Sequence, residues 1–284
     1  MYEGYIESAS AIVKLKVDEK AFFEIIKDEF FVAYIPSVKV LDKKSKKVDA
    51  TIEIKQGKKN KIKIKYPYVI YEYVEKNIKD IISLIEFILE RSRQEKGIIC
   101  IHGAGAILNN KLVVFWGTTT GMGKTSMAII LANNDNLFYS DEKILINLKT
   151  KKAVGRIKTQ YLSNKYWKNK HFGKDYHIPL NLSKDKDYDI GLFIQPILCK
   201  QEGYIFDEWD EKKFLWHLYE ESSRKIRGTS RVFFNGKYPA PSLDTKNLAT
   251  RRLKLIKKFT NEIKAIYFKG DFDSAFNLIK QYIN

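Results

Sequence analysis

Leu112-Val113-Val114-Phe115-Trp116-Gly117-Thr118-Thr119-Thr120-Gly121-Met122-Gly123-Lys124-Thr125-Ser126 reads as a buried strand that runs through a glycine loop into a helix. A short apolar run ended by glycine suits a core strand, and the residues from Lys124 to about Asn133 suit a helix. The link between them, Thr118 to Thr125, is a variant of the phosphate loop G-x-x-x-x-G-K-[ST]. Each part of that pattern has a task. Glycines let backbone N–H groups turn inward around phosphates, and the helix N-terminus adds a favourable dipole. The lysine contacts the β- and γ-phosphates, and the following hydroxyl ligates Mg²⁺. The match holds from Gly123 onward and departs at the first position, where Thr118 stands and glycine comes one residue early, at Gly117. A leading glycine mainly eases a turn, so the phosphate chemistry survives. The expectation is a nucleoside triphosphate held by Thr118, Thr119, Thr120, Gly121, Met122, Gly123, Lys124, Thr125 and Ser126, with Thr125 on Mg²⁺. ATP is the default nucleotide, since no base-recognition motif stands out.

Moving outward, Tyr139-Ser140-Asp141-Glu142 follows at the end of a short strand. Phosphoryl transfer uses a carboxylate to hold Mg²⁺ and another to accept the proton of an attacking hydroxyl, and adjacent carboxylates could share these tasks. On the upstream side, His102 closes the run Ile98 to Ile101 and precedes Gly103-Ala104-Gly105-Ala106. Strand, loop, helix, strand and acidic pair follow in the order of an α/β nucleotide-binding core.

The first third reads differently. Ile12 to Val17, Thr51 to Lys55 and Lys61 to Lys65 alternate apolar and polar, as half-buried strands do. The last two flank Gly57-Lys58-Lys59-Asn60 and are expected to pair as a hairpin, with Tyr66 to Tyr73 as a further strand. Helical spacing is seen over Glu19 to Phe31 and, more clearly, over Asn77 to Arg93. Two regions are therefore expected: an N-terminal α+β region over 1–96, and a kinase core over 97–284. The core includes a basic-aromatic segment, 158–179, strands at Tyr188 to Ile194 and Ala265 to Phe268, and helices at Glu211 to Arg227, Thr250 to Phe259 and Ser274 to Ile283. Short hairpin-like strands around the loop favour a mixed, partly antiparallel sheet over a doubly wound parallel one.

Composition narrows the classes. The 284 residues are 44% hydrophobic and 13% aromatic, enough for a sizeable core and unlike a disordered chain. No apolar stretch nears the ~20 residues of a membrane helix, and MYEGYIESAS lacks a basic-then-apolar leader, so a cytoplasmic location is the default. Cys100 and Cys199 stand far apart, outside any metal-ligand spacing, and are expected as reduced thiols. Basic residues number 51 against 34 acidic, a balance of +17 that favours acidic partners: nucleotide phosphates, an acidic protein or nucleic acid. A lysine-rich composition alone would give the same balance.

The stretch Ile101-His102-Gly103-Ala104-Gly105-Ala106-Ile107, the Asn109-Asn110 turn, Leu112 to Trp116, the phosphate loop and Ser140-Asp141-Glu142 together resemble the HPr kinase/phosphorylase and PEP-carboxykinase-like superfamily. The resemblance covers about residues 98 to 157. It implies that Gly121, Gly123 and Lys124 cradle phosphates, with Thr120 where the family has serine. It also implies Asp141 as catalytic base, Glu142 in place of a second aspartate on the metal, and His102 near the transferred phosphate. The glycine-rich stretch associated with phosphorolysis is not visible after Arg156, so a kinase without phosphorolysis is expected. Among Arg156, Arg224, Arg227 and Arg231, Arg227 is the preferred γ-phosphate cation, because it ends a helix before Gly228-Thr229-Ser230.

The function expected is an ATP-dependent kinase acting on a hydroxyl, either a serine of a protein or peptide or a small molecule. One alternative acceptor is an RNA hydroxyl, with aromatics of 158–179 stacking bases between lysines. A second alternative is an ATPase switch that hydrolyses ATP and drives a partner. Acceptor identity and oligomeric state stay open.

Overall fold

The computed structural model describes residues 1–41, 47–117, 119–133, 136–157, 167–168, 175–176, 181–200, 203–228 and 231–283. The protein is mixed α/β, with several sheets, the two largest of them mixed, and seven helices among the described residues. It divides into two compact units, Met1–Ile99 with Glu220–Arg252, and Cys100–Tyr219 with Leu253–Asn284.

In chain order the first elements are β1 (Tyr2–Ser8), β2 (Ala11–Val17), α1 (Glu19–Lys27), α2 (Glu29–Tyr34), β3 (Val38–Leu41), β4 (Ala50–Gln56), β5 (Lys61–Lys65), β6 (Tyr68–Tyr73) and α3 (Ile78–Lys96). The expected single helix over Glu19 to Phe31 is two helices. Asp28 ends α1 in an extended conformation, and its carboxylate caps α2 by accepting from the Phe30 N–H at 2.8 Å. Asn77 caps α3 in the same way, and Gly97, at φ +84°, closes it in the left-handed conformation that glycine reaches without strain.

The six strands form one sheet in the order β3-β1-β2-β4-β6-β5. The expected pairing of Thr51 to Lys55 with Lys61 to Lys65 does not form. β4 runs parallel to β6, and β5 pairs with β6 antiparallel across the Tyr66-Pro67 turn. Apolar matching explains the outcome. Ile52 and Ile54 of β4 register with Val69 and Tyr71 of β6, and all four are buried. Ile62 and Ile64 of β5 are only half-buried, which suits an edge. The inner face packs with α1, α2 and α3 into one core that includes Leu15, Phe22, Ile25, Phe31, Ile85 and Ile88. Each such side chain, fully withdrawn from water, contributes roughly 1.5–3 kcal/mol. Inside the same unit, Arg93 is fully buried and bridges Glu86 and Glu90, each at 2.9 Å, while donating to Ser8 Oγ at 2.7 Å.

The remaining elements are β7 (Ile98–Leu108), β8 (Lys111–Trp116), α4 (Lys124–Asn133), β9 (Leu137–Ser140), β10 (Lys143–Asn147), β11 (Lys152–Arg156), β12 (Trp167–Lys168), β13 (Asp175–Tyr176), β14 (Tyr188–Leu198), β15 (Ile205–Glu208), α5 (Glu211–Arg227), β16 (Val232–Phe233), β17 (Tyr238–Pro239), α6 (Lys246–Thr260), β18 (Lys264–Gly270) and α7 (Phe272–Ile283). The eight-stranded sheet runs β11-β10-β7-β8-β14-β18-β15, with β9 also on β7. It is mixed: β8–β14 and β14–β18 are parallel, β7–β8 and β15–β18 antiparallel. His102, expected to close the run Ile98 to Ile101, lies inside β7, which continues to Leu108.

Alternation along β8 and β14 sends side chains to both faces. Val113, Phe115, Leu192 and Ile194 join Met127, Ala128 and Leu131 of α4 and Leu278 and Ile279 of α7 in one core. On the other side Trp116 meets Phe193 edge-on at 5.3 Å, and Trp209 and Phe214 each at 5.7 Å. Both ends of the phosphate loop are thus anchored in packed cores. The segment 158–179 lies outside the described residues except for the paired two-residue strands β12 and β13. No helix among the described residues is long and apolar enough to cross a membrane.

Candidate functional site: the glycine loop and the Asp141 turn

The loop leaves β8 through Gly117 at φ +136° and passes Gly121 at φ +84° and Gly123 at φ +96°. Three residues in a region that side chains disfavour explain why glycines punctuate this stretch. Gly123 has a second constraint. A Cβ there would sit 2.7 Å from Leu198 Cγ, so the end of β14 packs directly against the loop backbone. The Leu198 N–H donates to Met122 O at 3.1 Å and fixes the same approach. The Gly123 carbonyl then accepts from the Met127 N–H at 2.8 Å, which starts α4. Lys124 Nζ donates to Thr119 O at 2.8 Å, folding the lysine back over its own loop. Thr118 lies outside the described residues.

The acidic turn is built with comparable economy. β9 ends at Ser140, whose hydroxyl is 3.1 Å from Asp141 O and 2.9 Å from Lys143 O. The chain then turns through Glu142 at φ +68°, an uncommon conformation for a residue with a side chain. Glu142 O accepts from the Gly103 N–H at 3.2 Å and lies 3.0 Å from His102 Nδ1. Gly103 is there for close approach, because a Cβ would lie 2.4 Å from Phe115 O on the neighbouring strand. Asp141 Oδ1 accepts from Thr125 Oγ1 at 2.9 Å and from the Glu142 N–H at 2.9 Å. Burial pushes the Asp141 carboxyl above the ordinary carboxylate range. The Thr125 hydrogen bond pulls it partly back, and the Glu142 charge raises it again.

These residues line one open cleft of about 320 Å³. His102, Gly103, Thr120 through Ser126, Asp141 and Glu142 all face it. Of the residues expected from the sequence, His102, Asp141, Glu142 and the loop from Thr120 to Ser126 therefore come together. The oxygens of Thr125, Asp141 and Glu142 make an all-oxygen donor set of the type hard divalent cations take.

Arg227 belongs to the first unit, where it lies 3.4 Å from Asp244 and 3.6 Å from Glu220. Arg231, in the same unit, donates to Ser83 O at 3.0 Å and lies over the Phe87 ring. Arg156 is in the second unit but bonds Tyr139 O at 2.9 Å, Ser183 O at 2.9 Å and Ser183 Oγ. It ties β9 to residue 183, two residues before Asp141 emerges. One support carried no signal in the sequence: Leu198, whose side chain packs behind Gly123 from a segment distant in the chain, which no local pattern encodes.

Compared with known proteins, the chain matches no family model and no curated sequence. The functional reading rests on the site itself.

Proposed function

We propose that this protein is an ATP-dependent kinase that transfers the γ-phosphate to a hydroxyl acceptor, a serine of a protein or peptide or a small molecule, without phosphorolysis. Its second unit is read as a PEP-carboxykinase/HPr-kinase-like core. The observation that carries the proposal is the half-buried Asp141 carboxylate, hydrogen-bonded to the first-turn hydroxyl of the phosphate-loop helix at 2.9 Å and facing the same cleft as the loop.

Each group has a task in that reading. Inward N–H groups of the Gly121 to Lys124 turn and the Lys124 ammonium bind the triphosphate. Thr125 and Glu142 offer the oxygens for Mg²⁺, which when bound neutralises charge on the β- and γ-phosphates. Asp141 accepts the proton of the acceptor hydroxyl. The freed oxygen bonds phosphorus while the bond to the β–γ bridging oxygen breaks, releasing ADP. A raised carboxyl is a better base near neutral pH than an ordinary aspartate. His102 lines the cleft and holds the Glu142 carbonyl, so it orients the acidic turn.

The test is incubation with γ-labelled ATP, Mg²⁺ and cell extract. A discrete labelled acceptor is expected, and its loss in Asp141→Asn. Persistent labelling in that variant removes Asp141 as the base. Acceptor-independent hydrolysis at ordinary enzyme turnover would replace the kinase with an ATPase.

A further inference from the structure

In the first unit the six-stranded sheet buries one face against helices and leaves the other open. Along its β5 edge the open face has an unusual composition. Residues 55–65 contain six lysines and no acidic residue, and all six lysines are exposed. Lys61, Lys63 and Lys65 alternate with the half-buried Ile62 and Ile64, so the three side chains leave the strand on its open face at backbone intervals of about 6.8 Å. On the adjacent strand, Tyr68 pairs with Lys65 and Ile70 with Lys63. Tyr68 is 68% exposed. The row continues through Thr51 to Lys14.

Lysines along an edge strand are enough to block edge-to-edge association. That task gives no reason to leave a tyrosine ring uncovered beside them. Of the acids on this face, Glu72 stands opposite Lys61, Glu53 pairs with Lys55 at 2.7 Å and Glu3 with Lys14 at 2.9 Å, while among the described residues Lys63 and Lys65 have no carboxylate within 4.0 Å. A flat sheet surface that offers an aromatic face between fixed cations fits a partner with accessible π-faces and regularly spaced anions. Base stacking on sheet aromatics and phosphate pairing with lysines have that form. A duplex hides its base faces and would use only the lysines.

We infer that this sheet face binds single-stranded nucleic acid, with a base stacked on Tyr68 and phosphates along Lys61, Lys63 and Lys65. The inference stands apart from the kinase reading and does not require it.

Fluorescence polarisation on the full chain tests it, using a labelled mixed-sequence RNA of about a dozen nucleotides, within the range that such grooves cover. A hairpin duplex and phosphatidylserine vesicles serve as comparisons. Single-strand binding should weaken as salt rises. Tyr68→Ala should weaken it at least about fivefold and leave duplex binding unchanged, whereas Tyr68→Phe should retain it. Replacing Lys61, Lys63 and Lys65 together with glutamine should lower the slope of log K against log salt by about two, and replacing them with arginine should preserve it. The inference is overturned by no binding at low salt, by duplex binding as tight as single-strand binding, or by Tyr68→Ala and triple glutamine variants that bind as tightly as the unaltered protein. Vesicle binding without RNA binding overturns it in favour of a membrane surface.

Discussion

Thr125 Oγ1 donates a 2.9 Å hydrogen bond to Asp141 Oδ1, joining the first turn of α4 to the end of β9. The bond places a hydroxyl suited to a metal beside a carboxylate suited to a proton. It also sets a conflict, because partial burial of the carboxyl opposes its charge while the hydrogen bond favours it.

Removing that charge should separate catalysis from stability. Asp141→Asn should lower phosphoryl transfer by about 10²–10⁴-fold. In the metal-free protein it should not lower the melting temperature. The folded carboxyl binds its proton more tightly than the unfolded one, so ionising it as pH rises above the ordinary aspartate range costs stability. Asparagine removes that cost. Calorimetry in EDTA, compared between a pH below the ordinary aspartate value and pH 8, should show a smaller pH dependence in the variant.

Gly123→Ala should weaken nucleotide binding for two separable reasons. At φ +96° a side chain costs about 1–2 kcal/mol. The new Cβ also meets Leu198 Cγ at 2.7 Å. ATP affinity, measured by fluorescence titration, should fall on the order of tenfold or more for that strain alone. Adding Leu198→Ala should recover the steric part only. Full recovery would mean that the backbone conformation costs nothing.

Glu142 offers a backbone test at the neighbouring turn. Its φ of +68° is a strain that Glu142→Ala retains and Glu142→Gly relieves. The glycine variant should be more stable than the alanine variant by about 0.5–1 kcal/mol in urea unfolding, after allowing for the greater freedom of glycine in the unfolded chain. Both lose the carboxylate, so both should need more Mg²⁺ for activity.

In the first unit, Arg93→Met should destabilise by about 3–5 kcal/mol, since it strands two buried carboxylates. Converting Glu86 and Glu90 to glutamine in the same chain should restore much of the loss. Urea denaturation checks both.

His217 supplies a pH dependence of known sign. It lies 4.6 Å from the Trp209 ring, and burial first, then the Lys213 charge, lowers its affinity for a proton. The neutral form is therefore favoured on folding. Its contribution is present above the ordinary histidine value of about 6.5 and is lost as pH falls through the lowered value. His217→Gln should flatten the stability profile between pH 5 and 7. The effect should be small, as the side chain is partly exposed.

Much of the site was legible because its parts are local. The strand Lys111–Trp116, the helix Lys124–Asn133 and the loop between them are encoded by neighbouring residues. The acidic pair was legible at a strand end, whereas His102, expected to close a strand, lies inside β7. Other features were not. β1 went unread because Gly4 and two glutamates blur its alternation, although Gly4 is needed where the Phe22 ring packs onto the strand. Asp28, within the span expected as one helix, is the cap between two. The expected hairpin failed because its turn and alternation were both right locally, while a better apolar partner for β4 lay further along the chain.

The sequence by itself determined the α/β class, the glycine loop and the residue types that could do phosphate chemistry, because those depend on backbone freedom and side-chain spacing over a few residues. Only the tertiary structure decided that β4 takes β6 as its neighbour, that Leu198 props Gly123, and that Asp141 accepts from Thr125. It also put Arg227 in the unit that holds Asp244. Those outcomes turn on burial and on close backbone approach between distant segments, which have no counterpart in a linear pattern.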